Sequence, residues 1–161
     1  DGQLRWGFLP LANEQFKYIL SKGNVSKGFI MIKPEFVEQI ASGAKCFEYR
    51  RVLYKRTGIK RIVVYASSPV CRIVGEIEVG ELLTDTPEAL WERTKEKSGI
   101  SEDFFLSYFA ERSHAHAIEI KAFHPYRTPK RLADKYPNTI LHNPSVTSKE
   151  DKEQAPSADQ H

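Results

Sequence analysis

Cysteine, long apolar runs and, over one stretch, negative charge are all scarce in these 161 residues. Only Cys46 and Cys71 are present, too few for a disulfide framework. No apolar run approaches the roughly 18 residues a membrane-spanning helix needs. The opening DGQLRWGFLP has neither the basic nor the apolar region of a signal peptide. Together these absences lead to the expectation of a reduced, cytoplasmic setting, in which the glycosylation-like Asn24-Val25-Ser26 carries no meaning. No internal repeat is visible. With 40% hydrophobic and 28% charged residues, the chain reads as one ordinary soluble domain with a spare tail.

Acidic residues are missing where the cations gather. Lys45, Arg50, Arg51, Lys55, Arg56, Lys60 and Arg61 face the single acid Glu48 over residues 45–61. A second basic stretch holds Lys121, Arg127, Lys130, Arg131 and Lys135. The tail from Ser145 has two lysines against Glu150, Asp151, Glu153 and Asp159, so the overall +3 understates the rest of the chain. Clustered cations beside aromatics are the electrostatic footprint of a nucleic-acid binder, and a solvated surface is the bland alternative.

The periodicity divides the chain into a lead-in (1–25), a folded domain (26–142) and a disordered polar tail (143–161). Leu11, Phe16, Ile19 and Leu20 fall near one helical face of the lead-in, with Gly23 as its stop. FIMIK (29–33) reads as a strand. Pro34 then opens a helix with Phe36, Val37 and Ile40 inward, and Gly43 closes it. CFEYRR alternates, RIVVYAS is a continuous buried strand, and CRIVGEIEVGELL places Ile73, Gly75, Ile77 and Val79 on one face. Thr86 and Ser101 are N-caps of two inserted helices. HAHAIEIKAF is a last long strand and PKRLADKY a short helix. Connections between the middle strands are too short for parallel crossovers, so the pattern favours a small α+β barrel of mixed strands with helices inserted around it.

IMIKPEFVEQIASGAKCFEYRR, then VVYASSPVCRIVGEIEVGEL, then PEALWERTKEKSGISEDFFLSYFAERSHAHAIEIKAF together resemble an ASCH domain (activating signal cointegrator homology) of the PUA-like superfamily. The likeness runs from about Phe29 to Tyr126. Its most specific pieces are K-P-E-F, the G-x-K before an aromatic-basic strand, Y-A-S-S-P and G-E-I-E-V. It implies a compact PUA-like β-barrel that binds RNA or DNA, RNA ahead of DNA, in RNA-linked or transcriptional regulation. It also implies, as the alternative, a hydrolase acting on acetylcytidine or on RNA. In the acetylcytidine enzymes the lysine matches Lys45, but their threonine position holds Glu48 here, and Glu96 is the nearest match for their distant glutamate.

The site expected from these residues lies around the first loop. Lys33, Lys45, Arg50, Arg51, Lys55 and Arg56 would form a cationic wall for phosphate, and Tyr65, Ser67 and Ser68 a second wall beside a base. Lys45 and Glu48 would be the acid/base pair if the site is catalytic. The expected ligand is a nucleic acid or a nucleotide-like anion, with no membrane, no cofactor and no metal. A protein-interaction module is the remaining alternative. Glu76 with Glu78, His114 with His116, and Cys46 read as a solvated acid pair, an incomplete metal site and a small packed residue.

Overall fold

The structure, a computed structural model, describes residues 16–21 and 24–136 apart from 54–57. The helical reading of residues 11–15, the expected contacts of Lys55 and Arg56, and the tail from 143 lie outside the described residues. In chain order the elements are β1 (Phe16–Ser21), β2 (Asn24–Ile32), α1 (Pro34–Ser42), β3 (Phe47–Arg50), β4 (Arg61–Ala66) and β5 (Arg72–Asp85). There follow α2 (Pro87–Thr94), a 3-10 turn (Lys95–Lys97), α3 (Glu102–Tyr108), β6 (Ala115–Lys130) and the single turn α4 (Leu132–Lys135). Over residues 16–21 the expected helix is replaced by a strand, because the short segment pairs antiparallel with β2. Tertiary pairing overrides a helical pattern too short to be stable by itself.

Among the described residues six strands form one mixed sheet in the order β1-β2-β4-β5-β6-β3. Of these strands only β2 and β4 pair in parallel, and α1 and β3 lie in the long connection between them. The fold is therefore α+β, as expected, but among the described residues no ladder joins β3 to β1 to close a barrel. One face carries Ile30, Ile32, Ile62, Val64, Ile77, Ile118 and Ile120, with Ile40 of α1 packed against them. The other carries Phe29 and Val63, covered by Tyr126, Leu132 and Tyr136.

Strand β5 departs from simple alternation. Ile73 packs with Phe29 and Val63, whereas Ile77 joins the α1 face. The ladder to β4 steps from Gly75 to Ile73 and leaves Val74 unpaired. One extra residue in a strand reverses which side chains face inward, so the expected common face of Ile73 and Ile77 is broken by this bulge.

Between the two long strands sits the inserted helical pair. Thr86 accepts from Ala89 N at 3.3 Å and Ser101 from Phe104 N at 3.1 Å, so both predicted caps form. The insertion brings its own core of Leu90, Trp91, Phe105, Tyr108 and Phe109 onto Tyr49 of the edge strand β3. Phe105 is fully buried, 4.9 Å from the Tyr49 ring and 5.0 Å from Trp91. Replacing Phe105 with Ala should cost about 3–5 kcal/mol and lower the melting temperature by roughly 10 °C. A loss below about 1 kcal/mol in denaturant titration would show that the insertion does not clamp β3.

Candidate functional site

Lys45 is placed by main-chain bonds on every side. α1 ends at Gly43, whose φ of +83° suits glycine and turns the chain back. Lys45 N then donates to Gln39 O (3.0 Å), Cys46 N to Lys97 O (2.8 Å) and Ile120 N to Cys46 O (2.8 Å). Held between α1 and the 3-10 turn, the lysine is only 3% exposed. Its Nζ donates to Ser98 O at 2.8 Å and lies 4.9 Å from the Tyr49 ring centroid and 5.5 Å from that of Phe36. Burial holds its amine below the ordinary lysine range; the Glu48 charge opposes this and the Arg50 charge adds to it.

Edge strand β3 supplies the rest of the floor. Glu48 and Arg50 are 4% and 1% exposed and form an ion pair, Nη2 to Oε1 at 3.1 Å. Arg50 Nε and Nη1 are buried without a hydrogen-bond partner among the described residues. Tyr49 donates to Thr94 Oγ1 at 2.7 Å, and the Thr94 hydroxyl donates in turn to Leu90 O at 2.8 Å. Burial pushes the Tyr49 phenol up to about 12, against the pull of the Thr94 bond. Burial likewise raises the Tyr108 phenol.

Lys45, Glu48 and Tyr49 meet at a shallow cleft of about 250 Å³, counting the open solvent at its mouth. Phe36, Lys45, Glu48, Tyr49, Ile100, Phe104 and Tyr108 line it. Phe36 and Phe104 stand edge to face, 6.1 Å apart. Arg51 flanks the cleft: its Nε donates to Tyr108 O (2.9 Å) and its guanidinium lies 4.7 Å from the Tyr108 ring centroid. Chemically, the cleft offers an amine and a carboxylate shielded from water among aromatic side chains.

The expected residues separate into groups. Lys45 and Glu48 meet in the cleft, with Arg51 beside it. Arg50 is correctly placed on the Glu48 face but lies beneath the surface, so it cannot be an outward phosphate contact. Lys33 caps the start of α1 without a side-chain bond, and near it Ser67 N donates to Ile32 O at the ends of the parallel strands. Neither Lys33, Ser67 nor Ser68 lines the cleft, and Tyr65 packs 5.9 Å from Phe29 on the opposite sheet face. Another side of the cleft is lined by α3, through Phe104 and Tyr108.

Other candidates have ordinary partners. Lys27 and Tyr126 engage Glu76, while His124 and Lys121 engage Glu78. His116 bonds Thr84 and His114 bonds Ser113. Among the described residues no group of three potential metal ligands exists, and no helix is long and apolar enough to cross a membrane. Half-buried Cys46 lies 3.5 Å from Gly43 O, and Glu96 is exposed on the 3-10 turn. Sequence reasoning missed Ile100, Phe104 and Tyr108, although the apolar run in EDFFLSYF signalled a packed helix.

The ASCH domain family model matches residues 30–125. The chain belongs to the ASCH domain family. It is 30% identical over 98 residues to the ASCH domain-containing ribonuclease of Zymomonas mobilis, covering 61% of this chain and 66% of that one. The crystal structure of ASCH from Zymomonas mobilis superimposes with a TM-score of 0.63 at 26% identity, covering 78% of this chain and 90% of that one. A segment of large ribosomal subunit protein uL22 of Ureaplasma parvum is also 30% identical over 86 residues, 52% of this chain. This ASCH chain spans 28% of that protein's length.

Burial of Lys45 has a measurable cost in stability. Between its lowered folded pKa and the ordinary value of 10.5, the unfolded chain binds the extra proton. Stability should therefore rise with pH as it approaches 10.5. Lys45→Met should remove that part of the slope in denaturant titrations between pH 7 and 10; an unchanged slope would contradict the burial. Breaking the Glu48–Arg50 pair by Glu48→Gln should cost about 3–5 kcal/mol, and Glu48→Gln/Arg50→Met should recover much of it.

Proposed function

We propose that this ASCH chain acts on RNA at the Lys45 cleft and cleaves it there. The observation that carries the reading is the buried amine of Lys45 at the floor of a cleft open to solvent, beside Glu48. A lysine serving only as a phosphate contact works best exposed; a lysine of depressed basicity in an apolar surround is suited to moving a proton. The ribonuclease name of the Zymomonas mobilis relative supports the substrate class.

In this reading a base of single-stranded RNA lies against Phe36, Phe104 and Tyr108, and Arg51 meets a phosphate at the rim. Lys45, in its neutral form, takes the proton of a 2′-hydroxyl as that oxygen bonds to phosphorus. The P–O5′ bond breaks, leaving a 2′,3′-cyclic phosphate and, after the departing oxygen is protonated, a 5′-hydroxyl. Glu48, tied to Arg50, sets the charge around the amine. A modified base would be held at the same cleft, its ring against Phe36, Phe104 and Tyr108, and RNA-linked regulation is the setting that such an activity would serve.

Incubation with a single-stranded RNA should yield cyclic-phosphate ends, and Lys45→Ala should lower the rate by about 10²–10⁴-fold with thermal unfolding still cooperative. Arg51→Ala should flatten the salt dependence of binding by about one unit. Wild-type protein that binds RNA with a steep salt dependence yet leaves it intact would make the chain a binder. Conversion of acetylcytidine to cytidine, with RNA untouched, would make it an amide hydrolase.

A further inference from the structure

Ser98 and Gly99 join the two inserted helices, where nothing in the preceding reading required more than a turn. Ser98 is 2% exposed, and its Oγ lies 2.9 Å from Lys95 O and 3.0 Å from Ile100 O, so its hydroxyl is committed to holding the turn. Its carbonyl is thereby aimed inward and receives Lys45 Nζ at 2.8 Å. Gly99 follows with φ +70°. A Cβ built on it would lie 2.7 Å from Lys45 Cβ, 2.9 Å from Lys45 Cγ and 2.6 Å from Gln39 Oε1. Ordinary contacts begin near 3.4 Å, so any side chain there forces Lys45 or α1 to retreat by several tenths of an ångström.

We propose that Ser98 and Gly99 are positioning residues for Lys45: the Ser98 carbonyl and the bare Gly99 backbone together seat its amine at the cleft floor. A carbonyl accepts a hydrogen bond from either charge form of an amine, so this seat fixes location without demanding a proton. The main chain of Lys45 is pinned to α1, and the next residue is pinned to the turn through Cys46 N and Lys97 O. Only the side chain is left to be steered, and the turn steers it.

Movement of this seat must alter the acidity of the amine, because the turn also keeps water away. The titratable groups facing Lys45 are Glu48, Tyr49 and Arg50 of β3 and Tyr108 of α3. From α1 and the turn come Phe36, Gln39 and Ser98, which do not titrate. Opening the turn therefore changes solvation more than it changes the charges nearby. The inference about position rests on the coordinates of Lys45; its consequence for rate rests on the RNA reading above.

The test is a titration of the Lys45 side chain in the whole 161-residue chain by ¹³Cε-lysine NMR, its signal assigned by absence in Lys45→Met. Gly99→Ala should move the midpoint upward, towards 10.5. Gly58→Ala is the control: Gly58 has φ +82° but nothing within 4 Å of its Cβ, so it introduces the same kind of backbone strain without a contact. It should leave the midpoint unmoved. An unmoved midpoint in Gly99→Ala overturns the proposal. If Gly99→Ala does not fold, Ser98→Ala, which loosens the turn, decides by the same shift or its absence. Against RNA, Gly99→Ala should lose about 100-fold, the scale of an ångström-sized misplacement. A shifted midpoint with an RNA-inert wild type would sink the RNA reading alone; an RNA-active wild type with an unmoved midpoint would sink this one alone.

Discussion

A lysine amine out of water is expensive, and the architecture around the cleft follows from how that expense is met. An unpaired ammonium in a low-dielectric interior costs several kcal/mol, so it must find acceptors, find counter-charge or give up its proton. Lys45 has one carbonyl, two aromatic rings and a neighbouring carboxylate that is already shared with Arg50. The balance makes the charged form less favourable than it is for an exposed lysine. For a site meant only to attract polyanions this would be a poor arrangement, since exposed cations do that without desolvation. For a site meant to exchange a proton it is a suitable one.

The same constraint explains the edge of the sheet. Among the described residues strand β3 pairs with β6 alone, and an uncovered edge invites misplaced pairing. Here the helical insertion covers it, bringing Phe105 and Phe109 against Tyr49 and fixing Thr94 on the Tyr49 hydroxyl. Covering the strand and building the cleft are one event: α3, which buries Phe105, also presents Phe104 and Tyr108 to the opening. Mutations at Leu90, Trp91, Phe105 or Phe109, which pack in the inserted core without lining the cleft, therefore act on it through β3 and α3.

The insertion also separates two kinds of cation that look alike in one dimension. Lys45, Arg50 and Arg51 lie within seven consecutive residues, yet the first two are buried and only Arg51 stands at the rim. Arg51 lies just past the end of β3, where Tyr108 supports its guanidinium face. Arg is well suited to such a stacked seat because its planar group keeps other donors available.

Much of this was legible from residue order. The caps Thr86 and Ser101, the proline start and glycine stop of α1, and the strands with continuous apolar runs are local features, and local chemistry decides them. The pairing of Glu48 with Arg50 on one strand face is equally local, because a period of two sets it. Three things were not local. Residues 16–21 became a strand through pairing with β2; Val74 slipped out of register and sent Ile73 to the far face; and α3 came to line one side of the cleft. Sequence by itself determined which residues carry charge and where the capped helices begin. Whether a charge meets water or another side chain was decided only by tertiary packing, because burial depends on what a distant segment brings to it.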